Sequence, residues 1–317
     1  MRIADMVYDL SSVWATARAV FPYFDRLPFD WDELYRDYLD KILQVKTDGE
    51  FHALLGEFTA SLGDGHTKYV PPAEFRPSSP PFKALEKPSR SVSDGVLTIK
   101  INDFLSDYSA LIGEWLRSAE GIGLVRLDIT QNIGGNTDYA ARVAELFIPG
   151  VFHACQKWTQ RVDALELASA SQLVRAGEET IKKYLQDGLI GEDELSDARR
   201  IAAHTKFREY TDSFGAEGSA AVYDGALELL ISPGTMSAAE DFAAMLKSTG
   251  RAVLVGRPTF GSTGTPCLIP LRCGGRAQVV SVGYRLLDGT EFIGRGIAPD
   301  RYEEQAASCN PRRSVVE

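Results

Sequence analysis

Ala226-Leu227-Glu228-Leu229-Leu230-Ile231-Ser232-Pro233-Gly234-Thr235-Met236-Ser237-Ala238-Ala239-Glu240 is the stretch that decides how this chain folds. Ala226 to Ile231 is a short apolar run closed by a Pro-Gly pair, which predicts a strand. A tight turn follows, and Ser237 opens a helix that runs to Lys247. Strand, turn and helix in immediate succession are the building piece of an α/β core.

The same alternation continues outward in both directions. Toward the N-terminus, Val96 to Ile101 reads as a strand, Asp107 to Ala119 as a helix, Gly123 to Ile129 as a strand ending in the polar turn Thr130 to Asn136, and Tyr139 to Phe147 as a helix. Toward the C-terminus, Arg251 to Val255 reads as a strand, and Cys267 to Tyr284 as antiparallel strands turning through Gly274-Gly275, with a further turn at Asp288-Gly289. The fold class expected is therefore α/β with some parallel pairing. Residues 1–70 read as a helical subdomain. Asp30 to Glu33 opens one helix with Leu34, Tyr38, Ile42 and Leu43 on a face, and a second starts near Thr47 and Asp48 with Phe51, Leu54, Leu55, Phe58 and Leu62 as its stripe. Residues 71–94 read as a linker, because positions 71–90 hold six of the fifteen prolines. Residues 95–317 form the core, interrupted by a helical insertion at 162–205 that breaks at Gly188 and Gly191.

Composition narrows the function classes. The chain has 317 residues, 44% of them hydrophobic, which suffices for a sizeable core. Lys and Arg number 34 against 44 Asp and Glu, a net charge of −10, which argues against nucleic acid as a partner. No run of 18 apolar residues exists, so no membrane-spanning helix is expected. The start Met1-Arg2-Ile3-Ala4-Asp5 lacks the charged-then-apolar pattern of a signal peptide, and the expected location is cytoplasmic as written; a chain already relieved of its leader, periplasmic or secreted, would read the same. His52, His66, His153 and His204 are scattered, and Cys155, Cys267, Cys273 and Cys309 form no C-x-x-C, so no metal is expected. Cys267 and Cys273 could face each other across the hairpin, as packed thiols.

Four segments carry chemistry. Ser237, at a helix start beside unpaired N–H groups, could act as a nucleophile whose oxyanion the Ala238 amide receives. The competing reading is a capping box, Ser237 capping and Glu240 reaching back. Asp128 to Asn136 ends a strand in the pair Gly134-Gly135, where a backbone free of Cβ could aim a second oxyanion donor into a cleft at the strand ends. His66, in the turn Leu62-Gly63-Asp64-Gly65-His66-Thr67, is a candidate general base or simply a surface histidine. Leu254 to Gly264 is a glycine-rich loop that could line a substrate groove.

Together, Asp64-Gly65-His66-Thr67, Asp128 to Gly135, Thr235 to Glu240, Gly256 to Gly264 and Gly296-Ile297-Ala298-Pro299-Asp300 resemble, in this order, the serine peptidases of the C-terminal processing (tail-specific) and tricorn core group. The resemblance implies a crotonase-like (ClpP/crotonase) core and hydrolysis of peptide bonds. It implies Ser237 as nucleophile, with Ala238 and Gly134 or Gly135 as oxyanion donors. Tail-specific members carry a lysine where this chain has Ser262, so the histidine variant with His66 as base is implied instead. Tricorn-like members place a serine before that histidine and a glutamate before the Gly-x-x-Pro-Asp segment; here those positions are Gly65 and Ile293. Glu291, Glu240, Asp64 and Ser262 are candidates to take over. The 28 residues between Thr67 and Val96 are too few for the peptide-binding PDZ module that many members carry. The resemblance implies no cofactor and no metal, a peptide or unstructured protein as substrate, and is compatible with a homo-oligomer. Two alternatives share the fold: a catalytically inactive ligand-binding protein, and an acyl-CoA enzyme, for which no basic cluster is evident.

Overall fold

A computed structural model of the chain describes residues 1–75, 86–160, 169–170, 173–174, 176–202 and 207–303. Its strands are β1 (Lys68–Val70), β2 (Ser89–Ser93), β3 (Val96–Lys100), β4 (Leu124–Asp128), β5 (Cys155–Gln160), β6 (Phe207–Thr211), β7 (Ala226–Ile231), β8 (Val253–Gly256), β9 (Pro266–Pro270), β10 (Arg276–Val280), β11 (Gly283–Leu286) and β12 (Arg301–Tyr302). The helices that matter below are α1 (Ile3–Val20), α2 (Trp31–Ile42), α3 (Asp48–Ala60), α4 (Ser109–Ser118), α5 (Thr137–Ala144), α6 (Glu178–Gln186), α7 (Glu192–Ala202) and α8 (Ala238–Ser248). No described helix is long and apolar enough to cross a membrane. The chain forms two compact units, interleaved along the sequence: residues 1–83, 156–212 and 263–285 make the first, and 84–155, 213–262 and 286–317 the second.

In the first unit, α1 packs on α2 and on β10, and three-stranded sheets run in the orders β1-β10-β9 and β11-β5-β6. The starts of α2 and α3 are chemically marked. The Asp30 carboxylate accepts the N–H groups of Asp32 and Glu33 to cap α2. Thr47 and Glu50 close a reciprocal capping box on α3. Phe51, Leu55 and Phe58 are fully buried along α3, each worth roughly 1.5–3 kcal/mol of burial, and Trp31 stacks on Phe58 with ring centroids 4.5 Å apart. Leu43, expected on the buried face of α2, is 62% exposed because it follows the last helical residue. Within the stretch expected as an insertion, α6 and α7 flank the break at Gly188 to Gly191; positions 161–168 and 203–206 lie outside the described residues. Cys267 and Cys273 do not face each other: Cys267 pairs with Val279 along the ladder, while Cys273 sits in the hairpin turn against the Tyr69 hydroxyl, 3.3 Å away. Cys309 lies outside the described residues.

The second unit is built on a mixed sheet of order β12-β8-β7-β4-β3-β2, in which all neighbours run parallel except the antiparallel edge strand β2. β2 lies inside the stretch expected as a linker. It escaped notice because Ser89-Arg90-Ser91-Val92-Ser93 is an exposed edge, paired on one side only, and carries no apolar pattern. The central strands alternate as a half-buried sheet should, with Leu97, Ile99, Leu127, Leu229 and Leu254 fully buried. α8 is buried along its length, and its small residues Ala239, Ala243 and Ala244 let it lie against α5, itself rich in alanine. The chain is a mixed α/β fold. Its parallel strands β3, β4, β7 and β8 all point their carboxyl ends toward the loops that follow, 101–108, 129–136, 232–237 and 257–262, which is where such sheets place ligands.

Candidate active site

Three of those loops are knitted together within the second unit. Ser237 N–H donates to the Ser262 carbonyl at 2.9 Å, Met236 N–H to the Asn132 carbonyl at 3.0 Å, and Phe260 N–H to the Thr235 carbonyl at 2.9 Å. Thr235 is fully buried; its hydroxyl donates to the Ile129 carbonyl at 2.8 Å and accepts Ser232 N–H at 3.1 Å. The turn after β7 is thereby tied to the turn after β4, and the loop after β8 is tied to both.

Ser237 stands at the head of α8 in an unusual posture. Its φ of +57° and ψ of −132° make it one of two non-glycine described residues with positive φ, the other being Asp94 in the β2–β3 hairpin turn. Such a conformation costs on the order of 1–3 kcal/mol and persists only where the surroundings enforce it. The Ser237 side chain makes no capping hydrogen bond. Glu240 does not reach back either. It is fully buried and accepts from the Thr259 hydroxyl at 2.5 Å, Gly261 N–H at 2.7 Å and Ser262 N–H at 2.6 Å. The capping box that Ser237-x-x-Glu240 spells is absent, and the carboxylate instead shapes the loop whose Ser262 carbonyl holds Ser237.

Burial pushes the Glu240 carboxyl from its ordinary 4.5 up to about 7, against the pull of those three donors. The folded state therefore binds this proton more tightly than the unfolded one. The associated stability is complete below about pH 4.5 and is lost as the pH rises through about 7. Glu240→Gln is expected to flatten that fall, worth up to about 3 kcal/mol; thermal melts from about pH 5 to pH 8 with an unchanged slope would refute it.

The glycine pair after β4 is pressed into the same place. A Cβ on Gly134, whose φ is +91°, would lie 2.5 Å from the Ser237 Cβ and 2.9 Å from the Ala238 nitrogen. Gly134 N–H donates to Asn132 Oδ1 at 2.9 Å. That amide already has an acceptor, and Gly134 packs closely against Ser237. Gly135 (φ +146°) abuts the Phe104 carbonyl, and among the described residues its N–H and that of Ala238 have no acceptor.

Asn132 was not singled out by sequence reasoning. It is fully buried, its Nδ2 donates to the Ile101 carbonyl at 3.1 Å, and its Oδ1 orders the glycine turn. A polar amide in the turn between an apolar strand and a glycine pair was the available signal. In the sequence Thr259 reads only as part of the loop Leu254 to Gly264; its hydroxyl accepts Ile297 N–H at 2.7 Å, joining the loop after β8 to the Gly296–Asp300 segment.

His66 and Asp64 lie in the first unit, in the turn before β1. The His66 carbonyl accepts Gln278 Nε2 at 2.7 Å, and the Thr67 hydroxyl accepts Val280 N–H at 3.0 Å, so the turn is fastened to β10. Ser237, Ala238, Gly134, Gly135, Glu240, Ser262 and the exposed Glu291 lie in the second unit. Ile293 is buried and apolar. Among the described residues no group of three or more His, Cys, Asp or Glu could hold a metal ion.

The sequence model of peptidase family S41 matches residues 95–302, well over half of the chain. The chain belongs to peptidase family S41. Over 94 residues it is 37% identical to a carboxyl-terminal-processing protease of Synechocystis, a match covering 30% of this chain and 22% of that protein. Two solved structures share the fold of this S41 chain. Mature CPAF superposes with a TM-score of 0.65 at 11% identity, covering 95% of this chain and 92% of that one. The photosystem II D1 C-terminal processing protease does so with a TM-score of 0.58 at 13% identity, covering 94% and 93%.

Proposed function

We propose that this S41 chain is a serine peptidase that hydrolyses peptide bonds of unstructured polypeptides through an acyl-enzyme on Ser237, carried by a crotonase-like core. The observation that supports this above all is the posture of Ser237: positive φ, at a helix head, with no capping bond. A strained serine spared from capping beside unpartnered amides suits attack on a carbonyl.

In this reading His66 takes the Ser237 proton as Oγ attacks the scissile carbonyl. The resulting oxyanion is received by Ala238 N–H and Gly135 N–H, whose donors have no competing acceptor among the described residues. Collapse expels the amine, which takes the proton from His66, and water then reverses the steps to free the acid. Gly134 lets the β4 turn press against Ser237, and Glu240 holds the loop that anchors the Ser237 amide.

The test is cleavage of casein together with labelling by a fluorophosphonate, which reacts with activated serines. Cleavage, a single adduct mapped to Ser237, and a loss of at least about 100-fold in His66→Ala are expected. An inert, unlabelled protein would mark a catalytically inactive ligand-binding protein on the same fold.

A further inference from the structure

Among the described residues a single buried side-chain polar atom has no hydrogen-bond partner, Asp64 Oδ2. An orphan of this kind needs an explanation, because a buried unpartnered acceptor costs free energy that folding must recover elsewhere. The other oxygen of the same carboxylate is well used: Oδ1 accepts the N–H groups of His66 and Thr67, each at 2.8 Å. Asparagine would make both of those bonds without burying a charge. The turn also has independent anchors, from Gln278 to the His66 carbonyl and from Val280 to the Thr67 hydroxyl. The negative charge is thus more than the local fold requires.

We propose that Asp64 is the positioning residue for His66, its buried carboxylate fixing the turn through Oδ1 and stabilising the imidazolium that forms when His66 accepts a proton. This inference rests on the Ser237–His66 reading. Asp64 is bonded to the backbone of His66 itself, so its charge stays within a side-chain length of the ring, in surroundings where the interaction is weakly screened. The groups that face it are His66 and the buried Tyr23, whose hydroxyl accepts Tyr284 N–H at 3.0 Å. Burial raises the Asp64 carboxyl above its ordinary value, and the His66 N–H bond and charge pull it back. Burial chiefly, with the Asp64 charge behind it, keeps the Tyr23 phenol protonated. The proton taken from Ser237 resides on the imidazole and is not passed on to Asp64. The position before the Gly296–Asp300 segment where tricorn-like members carry a glutamate is Ile293 here, which has no charge to offer.

The experiment uses the full chain with 13C-labelled histidine and compares wild type, Asp64→Asn and Asp64→Ser. Both variants keep an oxygen that can accept the His66 and Thr67 amides, so either serves if the other folds poorly. The His66 resonance is assigned by its loss in His66→Ala. In the variants His66 is expected to titrate about one unit lower than in wild type. The acid limb of kcat/KM on casein should move to lower pH by the same amount, and kcat should fall roughly tenfold to a hundredfold with KM little changed. A purely structural Asp64, or one that merely meets water, predicts the same His66 titration in all three proteins. That result with an active wild type overturns the inference and leaves the Ser237–His66 reading standing. An inert, unlabelled wild type overturns the reading and the inference with it.

Discussion

Ser237→Ala is expected to lower kcat/KM on casein by at least about a thousandfold without the stability loss that removing a helix cap brings. The second half of that expectation is the more diagnostic. Removing a serine cap normally costs about 1 kcal/mol. Ser237 makes no such bond, so α8 loses no cap when the hydroxyl goes. Ser237→Gly should be equally inactive yet more stable, by about 1 kcal/mol, since glycine adopts a φ of +57° without the penalty borne by a residue with Cβ. Denaturant melts of the three proteins decide the matter. An alanine variant that loses about 1 kcal/mol and keeps its activity would make Ser237 an ordinary cap.

Gly134→Ala should damage both stability and activity. Its Cβ would stand 2.5 Å from Ser237 Cβ, 2.7 Å from the Met236 carbonyl and 2.9 Å from the Ala238 nitrogen, at a φ of +91°. Two of those atoms are backbone, so no rotamer change relieves the clash. A loss of about 2–4 kcal/mol is expected from overpacking and strain combined. The rate of Ser237 labelling should drop at least about 100-fold, because an ångström of displacement suffices to spoil an attack geometry. Gly123→Ala is the control: a Cβ there meets nothing within 4 Å and needs no positive φ. Equal losses in both variants would show that the close approach at Gly134 is incidental.

Much of the architecture was legible because it rests on short-range periodicity. The strand Ala226–Ile231 appears with the expected bounds, and the helix after it is displaced by one residue at each end. The antiparallel hairpin between Pro266 and Val280 was marked by Gly274-Gly275. Capping chemistry was readable only where its partners are local. Thr47 and Glu50 close the box that Ser237 and Glu240 decline, because Glu240 meets Thr259, Gly261 and Ser262 some twenty positions away. Only the fold brings those donors together, and no spacing rule announces them. The same holds for Asn132, whose partners are a neighbouring strand's carbonyl and a glycine amide. That the Gly134 amide already has an acceptor likewise shows only through the Asn132 contact.

The interleaving of the two units has a consequence for biosynthesis. The chain changes unit after residues 83, 155, 212, 262 and 285. Strand β1 finds its partner in β10, where Lys68 faces Gln278. The first unit therefore cannot be completed on the ribosome when its N-terminal helices emerge; its sheet waits for β10, which is made long after β1. Such distant pairings close large loops and make folding slow relative to locally wired domains. A nascent or prematurely ended chain would present exposed apolar helices and an unpaired strand rather than half a peptidase.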